Sequence, residues 1–257
     1  MFVTTAYRVN ENMLNRAKKA ASDLSIPLLP RGKKSIPQMQ KETGSACIVV
    51  GNESIKLYGI GEDKPFFFHP SSAMFRVKRL IEGGTDPLIE AAGLQKGGSF
   101  LDCTLGLGSD SIAASFASGI EGTINGLEGS KYIAYLVKQG LSSWPTGIGL
   151  LDDAMKRVNV IHSDALSYLK SLPDKSVDCV YWDPMFDEGI EESEGIRALR
   201  QFAEYRGLGG EEIEESLRVA RQRVVLKDHF RSPRFEEFGF TRKIRKNAKF
   251  HYGFIEK

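Results

Sequence analysis

The chain has 257 residues, of which 41% are hydrophobic and 26% charged, and its formal net charge is +2. This composition is typical of a globular protein, and no apolar run approaches the roughly 18 residues of a membrane span. The N-terminus lacks a signal-peptide pattern. The three cysteines are odd in number and widely separated, which predicts reduced thiols in a cytoplasmic protein rather than a disulfide framework. Neither cysteines nor histidines show metal-ligand spacing, so no metal site is predicted.

The charge is unevenly distributed along the chain. Residues 218–257 contain 12 Lys or Arg and 4 Asp or Glu, and residues 1–41 contain 8 and 2. Acidic residues concentrate between them, above all in 187–194 and 211–215. Basic ends of this kind favour a polyanionic partner such as nucleic acid, although charged runs are also common as solvated surface.

Residues 1–61 are predicted to form a small α+β unit. A strand over 2–7 is followed by Asn10, which can cap a helix over 11–24 with apolar residues at helical spacing. Pro27, Pro30, Gly32 and Pro37 indicate an irregular connection. Two apolar stretches, 46–50 and 54–58, flank Gly51-Asn52 and predict a hairpin.

Residues 62–98 are predicted to lead into the main domain, 62–257, through two helices over 71–82 and 86–92. The first carries Arg76, Lys78 and Arg79, which we expect to face either phosphates or solvent. From Ser99 onward, strands and helices alternate, which predicts a parallel sheet covered by helices on both faces. The predicted strands span 99–103, 123–127, 158–161, 177–182 and 223–227, followed by a closing pair over 240–245 and 250–255. The predicted helices span 112–118, 130–141, 165–171, 196–205 and 211–219.

The turn after the first strand of this sheet carries Gly106 and Gly108. Glycines let the backbone approach a ligand, and the start of the next helix, which Asp110 and Ser111 can cap, offers free N–H groups. A dinucleotide fingerprint would have a third glycine where Ser111 stands. Asp110 would oppose a pyrophosphate but suits the positive charges of S-adenosylmethionine. This cofactor is therefore favoured over a nicotinamide, a flavin or a purely structural turn.

Carboxylates stand at or beside the ends of four successive strands: Asp102, Glu128, Asp164 and Asp183. Ligands of open α/β sheets bind outside the carboxyl ends of the strands. A single acid at a strand end often does no more than cap the next helix. Acids at the ends of four successive strands predict a ligand-binding site along this edge of the sheet, which we call the rim. Glu128 suits the ribose hydroxyls, Asp164 with Ser163 suits the adenine edge, and Asp102 and Asp110 suit the methionyl ammonium.

The segment Asp183-Pro184-Met185-Phe186 is the most specific signal in the chain. The Asp183 carboxylate and a loop carbonyl can accept hydrogen bonds from an exocyclic amine and aim its lone pair at a methyl carbon. Pro184 stiffens the turn, and Phe186 offers a stacking face for a base. We therefore predict Asp183, Pro184 and Phe186 as catalytic residues; the alternative is a structural Pro turn with a core Phe.

These motifs together resemble the RsmJ family. The resemblance rests on 101–110, Leu127-Glu128, 161–163 and 180–186, with weaker similarity over 224–227 and 249–252. It implies a Rossmann-like class I methyltransferase with a seven-stranded, mostly parallel sheet that methylates guanine N2 in small-subunit ribosomal RNA. It also implies cofactor contacts at Ser109, Asp110, Glu128, Gly129, Ser163, Asp164 and Asp183. Residues 187–194 are acidic, where the family usually has a basic segment.

The sequence thus predicts a cytoplasmic N-methyltransferase that uses S-adenosylmethionine on a base in structured RNA. Three alternatives remain open. The substrate could be another amine (adenine N6, a DNA base or a protein amide), the chain could be a non-catalytic RNA-binding or ribosome-assembly factor, or it could be a nicotinamide-dependent oxidoreductase.

Overall fold

A computed structural model of the chain describes residues 1–184, 202, 207–246 and 248–257. Phe186, the acidic segment 187–194 and nearly all of the predicted helix 196–205 therefore lie outside the described residues. Among the residues that it does describe, no helix is both long enough and apolar enough to span a membrane.

The N-terminal part forms a four-stranded sheet in the order β1-β2-β3-β4, with β1 and β2 parallel and the remaining pairs antiparallel. The Asn10 side chain accepts a hydrogen bond from the Met13 N–H at 2.8 Å, which confirms the predicted cap. The expected irregular connection contains a helix, α2 (Ile36–Thr43), and Pro37 lies in its first turn, where proline is tolerated. The elements are β1 (Phe2–Thr5), α1 (Glu11–Leu24), α2 (Ile36–Thr43), β2 (Cys47–Val50), β3 (Ile55–Tyr58) and β4 (Phe66–Phe67).

The larger part alternates strands and helices as predicted, with two additional helices among the described residues, over 149–156 and 234–237. Its elements, numbered over the described residues, are α3 (Ser71–Ile81), α4 (Pro87–Ala92), β5 (Ser99–Asp102), α5 (Ser109–Ser118), β6 (Thr123–Glu128), α6 (Lys131–Ser143), α7 (Gly149–Lys156), β7 (Val158–His162), α8 (Ala165–Ser171), β8 (Val177–Trp182), α9 (Gly210–Val219), β9 (Ala220–His229), α10 (Arg234–Glu237), β10 (Thr241–Lys243) and β11 (Phe250–Glu256).

The main sheet has seven strands in the order β10-β11-β9-β8-β5-β6-β7. The five strands from β7 to β9 are mutually parallel, and β11 runs antiparallel to both of its neighbours. This arrangement confirms the predicted seven-stranded, mostly parallel sheet. The chain order reverses between β5 and β8, the place where open α/β sheets bind their ligands.

Side chains that alternate along the strands build a core on each face of this sheet. Phe100 and Tyr181 belong to one buried cluster, whereas Leu101 and Trp182 belong to another. The first cluster continues without a break into the N-terminal part, where it includes Val3 and Leu57. One core therefore supports both sheets and fixes the carboxyl rim of the large one.

Candidate functional site

The turn between β5 and α5 has the conformation that its glycines predict. Gly106 and Gly108 adopt φ of 50° and 73°, values that side-chain-bearing residues rarely adopt. Helix α5 begins at Ser109, earlier than predicted, and its cap residue is Gly108. The expected capping by Asp110 and Ser111 is therefore wrong: both lie inside the first turn, and no side chain in the described part of the chain caps this end. Its N–H groups remain available to a ligand.

Asp102 lies beneath this turn and ties its two sides together. Its carboxylate accepts hydrogen bonds from the Thr104 N–H at 3.0 Å and from the Ser111 hydroxyl at 2.7 Å. The residue is only 1% exposed. Burial, with the nearby charge of Asp110, raises the pKa of Asp102 to about 7. The contacts that it makes stabilise the glycine turn; its predicted contact with the methionyl ammonium stays a prediction.

Arg76 links α3 to the start of α5. It forms two hydrogen bonds with the Asp86 carboxylate, at 2.7 and 2.8 Å, and one with Asp110 at 2.5 Å. It also donates to the Ser109 carbonyl at 3.3 Å. The expectation that Arg76 faces phosphates or solvent is wrong, because its side chain is only 13% exposed and is held by two carboxylates.

Lys227, near the carboxyl end of β9, joins Asp110 to the predicted catalytic residue. Its Nζ lies 2.5 Å from an Asp183 oxygen and 3.4 Å from an Asp110 oxygen. Asp183 follows the last residue of β8, and its backbone N–H donates to the Thr104 hydroxyl at 2.7 Å. Lys227 thus bridges the start of α5 and the end of β8 across the point where the chain order reverses.

Burial and charge act in opposite directions on these groups. Burial raises the pKa of Asp183 to about 6, although the adjacent Lys227 lowers it. Burial also raises the pKa of Asp110, but Lys227 and Arg76 outweigh it and hold that pKa well below its usual range. Burial alone would lower the pKa of Lys227, but the charges of Asp110 and Asp183 raise it. At neutral pH both carboxylates are therefore ionised and the amine is protonated.

The neighbouring strands complete the rim. Glu128 ends β6 and accepts a hydrogen bond from the Ser130 N–H at 2.9 Å, while the Ser163 N–H donates to the Glu128 carbonyl at 3.2 Å. Asp164 caps α8 by accepting from the Ser167 N–H at 3.2 Å. The carbonyl of Gly129 lies 2.9 Å from His162 Nε2. The sheet register thus brings Glu128, Gly129, Ser163 and Asp164 to the same end of adjacent strands.

Sequence reasoning missed several groups around the acids. The sequence predicts Lys227 as the last residue of the strand over 223–227 and Arg76 as a cation that faces phosphates or solvent, so neither residue is assigned to the site. Two buried tyrosines, Tyr181 and Tyr252, lie among the same charges, and their pKa values are raised first by burial and then by Asp110. The one available signal is a lysine at the carboxyl end of the predicted strand over 223–227, the end of the sheet at which ligands bind.

The comparisons with known proteins identify the family. The family model described as "Putative SAM-dependent methyltransferase" matches residues 33–250. The chain belongs to this family of S-adenosylmethionine-dependent methyltransferases. It is 30% identical over 233 residues to the Legionella pneumophila protein named ribosomal RNA small subunit methyltransferase J, covering 85% of the chain and 83% of the relative. The predicted resemblance to the RsmJ family is confirmed.

Two further similarities extend over almost the whole methyltransferase. The uncharacterized protein YpiP of Bacillus subtilis is 48% identical over 254 residues, covering 99% of the chain and 98% of the relative. The crystal structure of the S-adenosylmethionine-dependent methyltransferase NGO1261 from Neisseria gonorrhoeae matches with a TM-score of 0.64 at 16% identity, covering 100% and 96% of the two chains. This structural similarity supports the Rossmann-like fold.

The rim of the methyltransferase fits S-adenosylmethionine, the cofactor of its family. Among the described residues, a Cβ at Gly106 would meet only one atom within 4 Å, the Thr104 carbonyl oxygen at 3.9 Å, so none of these residues fills the space beside Gly106. Among the described residues, the connected ion pairs at the start of α5 contain three carboxylates, Asp86, Asp110 and Asp183, and two cations, Arg76 and Lys227. A negative site suits a sulfonium and an ammonium group, and the uncapped start of α5 suits the methionyl carboxylate.

Proposed function

We propose that the chain methylates an exocyclic amine of a base in RNA, and that this amine is guanine N2 of small-subunit ribosomal RNA. The observation that carries the proposal is the position of Asp183: its carboxylate follows β8 at the carboxyl rim, is 23% exposed and is paired with Lys227. It therefore faces the same rim as the Gly106–Gly108 turn. The proposed cofactor-binding residues are Asp102, Gly106, Gly108, Ser109, Asp110, Glu128, Gly129, Ser163, Asp164 and, in addition to its catalytic role, Asp183.

The proposed chemistry needs orientation more than a strong base. When bound, S-adenosylmethionine supplies an electrophilic methyl carbon. Asp183, kept ionised by Lys227, accepts a hydrogen bond from the amine and turns the nitrogen lone pair toward that carbon. Pro184, which is buried, restricts the backbone that follows Asp183. The amine nitrogen becomes acidic as it is methylated, and its proton passes to Asp183 or to water.

RNA as the substrate is supported by the names of the ribosomal RNA relatives and by the basic C-terminal segment. The relatives at 30% identity are named for small-subunit ribosomal RNA, which favours that RNA over DNA or protein. Guanine N2 rests on the RsmJ resemblance alone. If the target base is paired, it must leave the stack to reach Asp183, at a cost of a few kcal/mol.

The test is methyl transfer from tritiated S-adenosylmethionine to the RNA, DNA and protein fractions of cells that lack this chain. Label should enter small-subunit ribosomal RNA, and nucleoside mass spectrometry should find N2-methylguanosine. Asp183→Asn should abolish the transfer while S-adenosylhomocysteine still binds by calorimetry. The same substitution at the exposed loop residue Asp63 is the matched control. Label in DNA or protein instead would refute the RNA substrate, and N6-methyladenosine would refute the guanine.

A further inference from the structure

The chain segments that follow Lys227 extend beyond the catalytic rim. Strand β9 ends at His229, and the Phe230 N–H donates to the Lys249 carbonyl at 3.1 Å, so β9 and the start of β11 end side by side. Phe230 is three residues beyond Lys227, which corresponds to about 10 Å along a strand. Phe230, whose backbone is hydrogen-bonded to Lys249, therefore lies beyond the carboxyl end of β9, the strand that pairs with β8. A substrate segment that flanks a base at Asp183 would pass over this end of the sheet.

An aromatic surface lies at this place. The Phe230 side chain is 37% exposed, with its ring centroid 4.5 Å from that of His229 and 6.2 Å from that of His251. The Arg231 guanidinium lies 5.0 Å from the Phe230 ring. An exposed ring flanked by an imidazole and a guanidinium has the components of a base-stacking site, because bases stack on aromatic faces and on arginine planes.

Four exposed cations lie in the same C-terminal stretch as this ring. Most arginines of the C-terminal segment are paired with acids; those pairs are Arg218–Glu215, Arg221–Asp178, Arg223–Glu256, Arg234–Asp228 and Arg242–Glu236. In contrast, Arg231, Arg245, Lys246 and Lys249 are exposed, and no ion pair within the described part of the chain involves them.

Such cations in the same short stretch as a stacking ring match the alternation of phosphates and bases in a single strand of nucleic acid. An acidic protein surface would satisfy the cations but would leave the ring without a planar partner. A double helix would present its phosphates but keep its bases stacked on each other. The combination therefore favours unpaired nucleotides.

We infer that Phe230, with His229, Arg231, Arg245 and Lys249, forms a docking surface for single-stranded RNA next to the target nucleotide. A base that flanks the target stacks on Phe230, and the cations bind the phosphates on either side. This inference rests on the proposed function, because it takes RNA as the substrate. It adds the surface that holds the strand while the target base is at Asp183.

The experiment compares Phe230→Leu with Phe230→Tyr in the full-length protein. Leucine keeps an apolar side chain of similar size but removes the aromatic face, whereas tyrosine keeps that face. With small-subunit ribosomal RNA from cells lacking the chain, Phe230→Leu should weaken binding about tenfold, and Phe230→Tyr should stay within about twofold. Both variants should bind S-adenosylhomocysteine as the unmodified protein does, which shows that they are folded.

The cations are tested by salt dependence. The triple variant Arg231→Ala, Arg245→Ala, Lys249→Ala should lower the slope of log affinity against log salt by about 2, since each phosphate contact on a single strand contributes about 0.7. Arg221→Ala, at the opposite end of β9, is the matched control and should leave the slope unchanged. An unchanged slope in the triple variant would overturn the phosphate contacts.

Failure of this inference differs from failure of the proposed function. If the unmodified protein methylates RNA and Phe230→Leu binds and methylates it equally well, the docking surface is refuted and the methylation stands. If RNA binding depends on Phe230 but no methyl group reaches RNA, the surface stands and the proposed reaction is refuted. If Phe230→Leu binds RNA as well as the unmodified protein does but no longer transfers methyl groups to a protein substrate, an RNA partner for this surface is refuted.

Discussion

Lys227 decides the protonation of Asp183. Burial has already raised the pKa of Asp183 to about 6, and the Lys227 ammonium prevents a further rise. Lys227→Met should therefore raise that pKa, so that the acid limb of methyl transfer moves to higher pH and the rate falls more at pH 6.5 than at pH 9. Lys227→Arg keeps the charge and should keep the limb in place. Rate profiles from pH 5 to 9 test this, and a uniform loss at every pH would show that Lys227 acts otherwise.

Asp102 makes folding depend on pH in the opposite sense to an ordinary ion-paired acid. Its pKa is about 7 in the folded protein, against an ordinary value of 3.8, so its ionisation weakens the fold as pH rises through that interval. Asp102→Asn has no ionisable group at this position and should therefore not lose stability in this way as pH rises. The free energy of unfolding of the variant, relative to the unmodified protein, should increase between pH 5 and pH 8 in urea titrations. Asp63→Asn should show no such trend, and a flat difference for Asp102→Asn would refute the buried charge.

The individual acids could be predicted from the sequence, but their partners could not. Asp102, Glu128 and Asp183 each stand at a strand end, and strand ends are readable from short apolar runs. The partners of Asp110 lie 34 and 117 residues away in the chain, at Arg76 and Lys227. Only the packing of α3 against α5 and the pairing of β8 with β9 bring them together, and no local pattern encodes either contact.

At the scale of elements, local signals predicted structure where they agreed with one another. Helix α1 has the predicted bounds because a cap residue and an apolar stripe coincide. Helix α2 is not predicted from the sequence, because Pro37 and its neighbours indicate an irregular connection, although proline suits a first helical turn. Strand β4 has only two residues and is defined by its pairing with β3, so it is too short to show a strand pattern in the sequence.

Helix α6 packs so closely on the N-terminal sheet that one of its positions must be glycine. A Cβ at Gly140 would overlap the Phe68 ring, which lies in the shared core. Gly140→Ala should therefore lower the free energy of unfolding by about 1–3 kcal/mol, despite the better helix propensity of alanine. In Gly149→Ala, in α7, the added Cβ would meet no atom of the described residues within 4 Å, and stability should change by less than about 1 kcal/mol. Urea unfolding measures both, and equal effects would refute the close contact.

At the scale of the whole molecule, the continuous core implies that the two sheets unfold together. The predicted division into 1–61 and 62–257 is testable because each part contains at least one buried thiol. Cys47 lies in β2, Cys103 directly follows β5, and Cys179 lies in β8. Burial raises the pKa of Cys47 to about 11 and that of Cys103 well above its usual value, so alkylation requires unfolding.

Alkylation of the three cysteines, followed by mass spectrometry across a urea series, should give one midpoint for all of them. S-adenosylhomocysteine at about 100 times its dissociation constant should stabilise the fold by about 2.7 kcal/mol and move all three midpoints together, although Cys47 lies in the other sheet. The ligand binds the main sheet, so only a shared core can transmit its stabilisation to β2. Alkylation of Cys47 at lower urea, unaffected by the ligand, would show instead that residues 1–61 unfold as a separate unit.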